Sequence, residues 1–436
     1  MTNRWGIAIA GTVVMVVLGT VYSWSIFTLP LVAAYNWSTQ DVSLAFELAI
    51  FFLGIGAVVG GRWQDRVGPR TVTIVGIVLW GLGVLLAGLG TGSLGRVWLY
   101  LTYSIIGGFG NGMAYITPVA MVTKWFPDKR GLASGMVVMG FGLGAFFYSF
   151  FVPKIPAFAA TAKAAGAFAA AKTAALNAGT TFNAAQYQLT PEQVATIWQV
   201  FLVSGIVFII VGGLAAMAMK NPPVAAKGSA ADLAPSYTPA QALRTPQLYG
   251  LWVLLFLNVV AGIMIISNAV PIYSELTGVA AAVAAPVYGL LSIFNGFGRF
   301  FWGSVSDRIG RNLTYTVMYL LQALMFVTLM RLHSIAAVSI CMGVVLLCYG
   351  GGFGVMPSFN ADFFGTKYYG EIYGFILTAW GVGGVVGPLI AARVKDATGS
   401  YRGTLLPVAI MLVVAAVIPF FVHKPAQSAV QRAKAA

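Results

Sequence analysis

The sequence has very few charged residues. Asp, Glu, Lys and Arg together make up 8% of its 436 residues, whereas water-soluble globular domains carry about 25%. Hydrophobic residues make up 59%, and long apolar runs fill most of the chain. Because a helix needs about 20 predominantly apolar residues to cross a bilayer, the composition excludes an ordinary soluble protein. It predicts an all-α membrane protein that spans the lipid bilayer many times.

Cysteine and histidine are also scarce, with two residues of each. Cys341 and Cys348 lie seven residues apart in one apolar run, about 10.5 Å along a helix, and are too distant to form a disulfide with each other. The chain has no CxxC motif, Cys/His cluster, nucleophile constellation or phosphate-binding loop. We therefore predict no metal, no cofactor and no enzymatic activity. A receptor with the architecture of a transporter stays open as a rival until flux is measured.

The few charges are mostly positive, which gives a formal net charge of +14 at pH 7. Such an excess is ordinary for membrane proteins, whose cytoplasmic loops are rich in Lys and Arg, so we predict no nucleic-acid partner. When both termini are placed in the cytoplasm, the inner loops hold about twice as many basic residues as the outer loops. This bias predicts cytoplasmic termini and a location in the inner (plasma) membrane.

The apolar runs predict twelve membrane spans. The first run, from Gly6 to Leu31, is too long for the apolar part of a signal peptide, so it is interpreted as a retained helix. The approximate limits of the spans are 6–31, 41–61, 71–91, 97–123, 131–152, 197–219, 249–273, 283–305, 313–331, 335–359, 370–392 and 403–422.

Two longer polar segments interrupt the spans. A Pro-, Ser- and charge-containing stretch predicts a cytoplasmic linker at 220–246, between a bundle at 1–219 and a bundle at 247–436. Within the linker, "YTPAQALRTP" is compatible with a short interfacial helix. The Ala-rich insertion at 153–196 is interpreted either as the tip of a helical hairpin or as a mobile loop, and no chemistry is assigned to it.

One motif occurs twice. "GRWQDRVGPR" follows span two, "GSVSDRIGRN" follows span eight, and both contain G-x-x-x-D-R-x-G. Glycines allow tight turns and close helix packing, and an aspartate is stabilised at the N-terminus of a neighbouring helix. A single copy is explained as a charged cap on a membrane helix. Two copies at matched positions predict gating elements, for which the candidates are Asp65, Arg66, Asp307 and Arg308.

This pattern resembles the major facilitator superfamily, and the resemblance covers all twelve spans. Five stretches are similar to its oxalate:formate antiporter and monocarboxylate transporter branch: "VYSWSIF" (21–27), "KWFPDKRGLASG" (124–135), "LRTPQLY" (243–249), "NGFGRFFWGSVSDRIGR" (295–311) and "PSFNADFFG" (357–365). The resemblance implies a monomer with two pseudo-symmetric six-helix bundles. It also implies transport of small carboxylates by alternating access to a central site.

Arg299 is the candidate for that central site. It precedes Asp307 by eight residues, or about 12 Å of helix, which places it inside the hydrocarbon region. A charge there costs at least about 2.5–3.5 kcal/mol unless a cavity, a partner or a substrate compensates it. A guanidinium fits a carboxylate because its fork matches two oxygens. The alternatives are snorkelling to the interface or a structural hydrogen bond to helix carbonyls. The resemblance agrees with the binding interpretation, because Arg299 matches the carboxylate-binding arginine of the family.

The resemblance also marks aromatic residues on other spans as candidate walls of the cavity. Their hydroxyls would orient an anion and their rings would exclude water, although any one aromatic residue is at least as often plain packing. The candidates are Tyr22, Tyr115, Phe141, Tyr349 and Phe353.

Two departures from the family pattern bear on the substrate. Trp380 stands where the oxalate carriers have a second cation, a lysine, so one cation would face one anion and a short monocarboxylate fits better than oxalate. Asn295 stands where animal monocarboxylate carriers have an aspartate, and an asparagine cannot carry a proton. Glu47 in span two is then the proton-coupling candidate, although it is equally interpreted as a shallow residue of the outer vestibule. We predict a transporter of lactate-like monocarboxylates coupled to protons, and the alternative is an anion exchanger of the oxalate/formate type.

Overall fold

The computed structural model describes residues 3–222, 236–279, 281–398 and 400–425. These residues are almost entirely helical. In the first half of the chain the helices are α1 (Arg4–Gly19), α2 (Ser25–Tyr35), α3 (Thr39–Val67), α4 (Pro69–Leu99), α5 (Gly108–Trp125), α6 (Arg130–Phe151), α7 (Pro156–Asn177) and α8 (Pro191–Met217). In the second half they are α9 (Pro239–Leu243), α10 (Pro246–Ser267), α11 (Ala269–Thr277), α12 (Ala281–Ile309), α13 (Arg311–Leu329), α14 (Ile335–Phe364), α15 (Tyr369–Thr398) and α16 (Arg402–Ala415).

Each of the twelve predicted spans coincides with helix. Within the described ranges, ten helical stretches are long and apolar enough to cross a membrane. One of them, Pro69–Trp125, has 57 residues, which is more than enough for two crossings of about 20 residues each. It bends at Gly95, whose φ of 71° and ψ of −166° are not helical, and the bend separates spans three and four. Span eight corresponds to α12, which has 29 residues.

The first crossing is broken near its middle. Helix α1 ends at Gly19, a 3₁₀ turn covers Thr20–Ser23, and α2 continues from Ser25. A side chain at position 19 is impossible without movement, because its Cβ would lie 1.8 Å from the carbonyl oxygen of Phe141 on α6. The close approach of α1 and α6 therefore requires glycine, and the broken turn places Tyr22 at the interface of several helices.

Both copies of the repeated motif form the same turn. The final glycines, Gly68 and Gly310, have φ values of 90° and 86°, a region that residues with a Cβ rarely adopt. The first glycines pack against the other half of the chain. A Cβ on Gly61 would meet the Gly370 carbonyl at 2.0 Å, and one on Gly303 would meet the Gly131 carbonyl at 2.5 Å. The motif thus brings α3 against α15 and α12 against α6, which is the close helix packing expected from its glycines.

The insertion between α6 and α8 is helical. Phe158 and Phe168 on α7 are buried, and this helix packs on α2 and α8. The short α9 lies within "YTPAQALRTP", and the Thr238 side chain accepts a hydrogen bond from the Gln241 backbone at its start. Residues 223–235 of the predicted linker, together with residues 426–436, lie outside the described residues.

The carboxylate of Glu275 joins three helices of the second half, at the end of the bundle opposite to Asp307. Glu275 on α11 accepts hydrogen bonds from Ser400, the Lys395 side chain and the backbone N–H groups of Tyr401 and Arg402. Partial burial opposes ionisation, but these donors outweigh it and lower the pKa of Glu275 to about 2. Because the folded pKa lies below the ordinary value, this stabilisation is present at neutral pH and is lost only as the pH falls towards 2.

Candidate functional site

Arg299 lies at the centre of the bundle and is fully buried. Its Nε lies 3.5 Å from Asn295 Oδ1, and its Nη1 lies 3.5 Å from the Val138 carbonyl oxygen on α6. Both contacts are at the long limit for hydrogen bonds, and Nη2 has no partner. Among the described residues, no carboxylate forms an ion pair with Arg299. The side chain therefore does not snorkel to an interface, and its charge is not neutralised by an acid.

Aromatic faces flank the guanidinium. Its Cζ lies 5.1 Å from the ring centre of Phe141 and 4.8 Å from that of Phe353. A cation that faces an aromatic ring in this range gains about 0.5–2 kcal/mol. The two rings come from opposite halves of the chain, α6 and α14, and they flank the guanidinium while its Nη2 has no hydrogen-bond partner.

All eight residues predicted for the site lie together in an arrangement called here the cage. Trp380 contacts three of its aromatic residues. The centre of the Trp380 ring lies 5.2 Å from the ring centre of Tyr115, 5.3 Å from that of Phe141 and 4.7 Å from that of Phe353. At these distances the rings are in van der Waals contact. The cage consists of Arg299, Asn295, Tyr22, Tyr115, Phe141, Tyr349, Phe353 and Trp380.

Four buried donors around the cage make no hydrogen bond. They are Arg299 Nη2, the Tyr115 hydroxyl, Trp380 Nε1 and the Tyr373 hydroxyl. A buried donor without a partner costs about 1–3 kcal/mol, and native interiors contain few of them. Three of these residues, Arg299, Tyr115 and Tyr373, lie close enough to interact electrostatically, and donors of this kind are chemically suited to an anion with acceptor oxygens.

Tyr373 is a residue that the sequence analysis did not select. It precedes Trp380 by seven residues on α15, which is about two helical turns, so the two side chains share one helix face. Tyr373 also lies close enough to Tyr115 and Arg299 to interact with both electrostatically. The seven-residue spacing from Trp380 was the signal available in the sequence.

Two tyrosines close the cage across the two halves of the chain. The hydroxyl oxygens of Tyr22 and Tyr349 lie 2.6 Å apart and share a hydrogen bond. Two buried amides support Tyr349. The Asn258 side chain on α10 donates a hydrogen bond to the Tyr349 backbone carbonyl at 2.9 Å, and the Gln322 side chain on α13 donates one to Asn258 Oδ1 at 3.2 Å. These two supporting amides were not predicted, since their positions in apolar spans resemble ordinary buried polar residues.

Glu47 lies outside the cage. It lines a cavity with about 460 Å³ of empty space, of which Tyr22 also forms a wall. Glu47 precedes Asp65 by 18 residues on α3, or about 27 Å, so the cavity lies towards the other end of the bundle. The remaining lining residues are largely hydroxylated or aromatic: Trp24, Ser25, Thr28, Ser43, Phe46, Ile266, Ser267 and Tyr288. In the described part of the chain, the Glu47 carboxylate has no hydrogen-bond partner.

The repeated aspartates join the halves at one end of the bundle. Asp307 accepts hydrogen bonds from the backbone N–H groups of Gly131 and Leu132, at 3.0 and 2.9 Å, where α6 begins. Asp65 accepts one from Glu371 at 3.0 Å, where α15 begins. A carboxylate at a helix N-terminus is stabilised by the helix dipole and the free N–H groups. We call these contacts the aspartate latches.

The two arginines of the motif are placed differently. Arg66 and Arg308 are exposed, and neither forms an ion pair within the described ranges. Other cations support the latches instead. Arg311 pairs with Asp307 at 2.8 Å and with Asp362 on α14 at 3.0 Å, and Arg130 on α6 reaches the same Asp362 at 2.9 Å. The sequence pattern therefore located the aspartates but did not show which cations accompany them.

Loss of an aspartate latch should open this end of the bundle. We expect Asp65→Asn and Asp307→Asn each to raise several-fold the rate at which a water-soluble maleimide labels Ser134→Cys. Ser134 is buried beside Ser358 between α6 and α14, so the reporter reacts only when the halves part. The native Cys341 and Cys348 are replaced by alanine for this measurement.

Asp128→Asn is the matched control, because Asp128 pairs with Arg4 on an exposed surface and such pairs contribute about 0–1 kcal/mol. Unchanged labelling in both latch variants, together with altered substrate selectivity, would contradict a gating role.

Comparisons with known proteins all find membrane transporters. The sequence profile described as Major Facilitator Superfamily matches residues 9–388. The oxalate:formate antiporter of Oxalobacter formigenes is 29% identical over 403 residues, which cover 91% of this chain and 86% of the antiporter. Monocarboxylate transporter 13 of Rattus norvegicus is 30% identical over 133 residues, or 30% of each chain. The crystal structure of the fucose:proton symporter of E. coli has a TM-score of 0.66 at 16% identity and covers 96% of this chain and 98% of the symporter.

Proposed function

The chain belongs to the major facilitator superfamily and is a multi-pass membrane transporter, and from this premise we propose that it carries small, lactate-like monocarboxylates by alternating access. The observation that carries the proposal is the state of Arg299. It is fully buried, faces no carboxylate among the described residues, and keeps Nη2 unpaired next to further unpaired donors. A buried cation of this kind is expected to have a functional partner, and a carboxylate supplies both the charge and the acceptor oxygens.

The charge of the cage supports a monovalent substrate. Arg299 is the one charged residue of the cage, and Trp380 occupies the position at which the resemblance implies a lysine in oxalate carriers. A second carboxylate would enter a buried site without a second cation, which is costly. The packed aromatic rings also leave little room, so the proposed substrate is short.

The aspartate latches support the gating part of the proposal. They hold together the halves at the end that carries the basic-rich loops, which the charge bias assigns to the cytoplasm. The proposed cycle therefore alternates between the latched arrangement, in which substrate would approach past Glu47, and an arrangement with the latches open. Both termini would lie in the cytoplasm of the inner membrane.

Proton coupling is proposed to involve Glu47. Asn295 lies beside Arg299 but cannot carry a proton, whereas Glu47 lines the cavity that Tyr22 separates from the cage. An ionised Glu47 would repel an approaching anion, and a protonated one would not. Proton uptake before entry of the carboxylate would therefore couple the two movements.

An exchanger of the oxalate/formate type is the second candidate. The similarity to the oxalate:formate antiporter over 91% of this chain favours it. In that case substrates would move in both directions through the same cage, without net proton movement.

A counterflow screen in proteoliposomes tests the proposal. Labelled lactate is taken up against internal mono- and dicarboxylates of one to four carbons, with and without a pH gradient. We expect monocarboxylates to drive uptake and a pH gradient to increase it. Strong counterflow with oxalate, and none with longer monocarboxylates, would favour the exchanger. No flux of any carboxylate would contradict both candidates.

The role of Glu47 has a separate test. We expect Glu47→Gln to retain counterflow of lactate but to lose accumulation driven by an inward proton gradient, because glutamine stays neutral at every pH. Glu192→Gln is the control, since Glu192 is an exposed acid at the start of α8. If the Glu47→Gln variant still concentrates lactate in response to the gradient, the proton moves by another route.

A further inference from the structure

We propose that Arg130, at the start of α6, is a second carboxylate-binding site, which the substrate occupies on the cytoplasmic side after it leaves Arg299. In the latched arrangement this site is filled by a carboxylate of the protein itself, Asp362, and it becomes available when the halves part. The inference rests on the proposed function, and it gives a binding role to a cation to which neither the motifs nor the resemblance assigned one.

The first step concerns the ion pair between Arg130 and Asp362. It joins α6 of the first half to α14 of the second half at 2.9 Å, so it must break when the halves separate at the latch end. Asp362 then keeps another partner, because Arg311 pairs with it at 3.0 Å and with Asp307 at 2.8 Å. These three residues all belong to the second half. Separation therefore deprives Arg130 of its carboxylate but leaves Asp362 paired.

The second step is a comparison with the other cations at this end. Lys124 lies 3.8 Å from Asp65, and both belong to the first half, so this pair survives the separation. In the described part of the chain, the other ion pair between the halves joins Arg62 to Glu371 at 3.8 Å. The Arg62 side chain is 61% exposed, so water replaces its partner, whereas the Arg130 side chain is 26% exposed. Of the paired cations described at this end, Arg130 is thus the partly buried one that is left without an anion.

The third step is the position of Arg130 relative to the cage. Arg130 precedes Phe141 by eleven residues on α6, which is about three helical turns, so both side chains lie on one face of the helix. The distance along the helix is about 16.5 Å. Ser134 lies on the same face between them and is buried against Ser358. A substrate that moves from the cage towards the latch end along this face therefore meets Arg130.

The fourth step is the presence of unpaired polar atoms between the cage and the latch end. Arg130 Nε is buried and has no partner, although Nη1 donates to Asp362. Asn360 on α14 is fully buried, and neither its amide nitrogen nor its amide oxygen has a partner. It follows Phe353 by seven residues, about two turns, so it lies on the face of α14 that carries this cage residue. Native interiors contain few such atoms, and a carboxylate accepts hydrogen bonds from the N–H groups of both side chains.

The test compares two variants that break the same ion pair, Arg130→Gln and Asp362→Asn. Proteoliposomes in which the latch end faces the lumen are loaded with graded lactate, and counterflow of labelled external lactate gives the half-saturating internal concentration. We expect Arg130→Gln to raise this concentration about 10-fold, because a charge-assisted contact to the substrate is lost. We expect Asp362→Asn to lower it several-fold, because the competing carboxylate is gone. A pair that acts only as a latch predicts the same direction of change in both variants.

Two further variants separate binding from a general effect of charge. Lys129→Gln is the matched control, because Lys129 is exposed beside Arg130 and its replacement removes the same charge at the same end. We expect it to leave the half-saturating internal concentration unchanged. Arg130→Lys keeps the charge but not the planar fork, so we expect a smaller rise than in Arg130→Gln. If Arg130→Gln does not fold, Arg130→Lys is compared with Lys129→Gln instead.

Changes in the same direction in Arg130→Gln and Asp362→Asn, or no rise in either Arg130 variant, would overturn the inference and leave the ion pair as a latch alone. Either result leaves the proposed function intact, because the unmodified protein still carries lactate. Absence of any flux in the unmodified protein would instead contradict the proposed function.

Discussion

Arg299→Lys is expected to lose nearly all transport of short monocarboxylates, although it retains the positive charge. The guanidinium of Arg299 lies between the rings of Phe141 and Phe353, its Nη2 has no partner, and its Nε and Nη1 contacts are both long. A planar fork binds two carboxylate oxygens at once, whereas an ammonium is a point charge on a flexible stem. Each hydrogen bond to a charged group contributes about 1.5–3 kcal/mol, so loss of the bidentate contact lowers transport efficiency by about 10- to 100-fold.

Initial uptake rates in proteoliposomes measure this effect, and ligand-induced thermal shifts measure binding without transport. Arg393→Lys is the control, because Arg393 is an exposed arginine on α15 that lies outside the cage and the repeated motif. Arg299→Ala should abolish both the uptake and the thermal shift. Normal affinity of Arg299→Ala for lactate would show that the carboxylate binds elsewhere.

Trp380→Lys is expected to change the relative affinity for dianions. Trp380 is fully buried, and its ring contacts Tyr115, Phe141 and Phe353. A lysine at this position adds a second cation on α15, opposite Arg299 on α12. Oxalate would gain a second charge-assisted contact of about 1.5–3 kcal/mol, or roughly 10- to 100-fold in affinity relative to lactate. Without substrate the two cations repel each other, so lower stability of the empty variant is expected as well.

Competition titrations on the purified variant measure the ratio of oxalate to lactate affinity, independently of transport rate. Trp380→Met is the control, because methionine has a similar length to lysine and no charge. A larger cavity alone would affect the methionine and lysine variants alike. If oxalate and lactate shift equally in Trp380→Lys, or if lactate gains, the charge count does not support the proposed preference for a monocarboxylate.

Local signals in the sequence predicted much of the architecture. Apolar runs marked the crossings because the length of a membrane helix depends on its own residues. The duplicated motif predicted the turns at Gly68 and Gly310, since a left-handed turn is a property of the glycine itself. Arg299 stood out because a charge in an apolar run has few explanations. The resemblance then supplied the aromatic residues that surround it.

Contacts between distant parts of the chain were not predictable in the same way. Asp362 bridges Arg130 and Arg311, yet nothing in the local sequence pairs residues from α6, α13 and α14. Tyr373 resembled the other aromatic residues of its span, and only the three-dimensional arrangement shows that its hydroxyl is unpaired at the cage. Arg66 and Arg308 share the motif with the latch aspartates but project from the bundle, because successive helical residues face different directions.

The rings on either side of Arg299 also bear on the conformational change that the protein makes without bound substrate. A buried cation costs at least about 2.5–3.5 kcal/mol, and each of the two rings returns about 0.5–2 kcal/mol. Phe141 and Phe353 therefore offset part of this cost when no substrate is bound, and under the proposed function we expect this to let the empty protein reset. The middle of the range for two rings, about 2.5 kcal/mol, only just reaches the lower bound of the cost, so we expect the reset of the empty protein to be slower than the loaded step. Under the proposed function, we therefore expect exchange of one carboxylate for another to be faster than net transport.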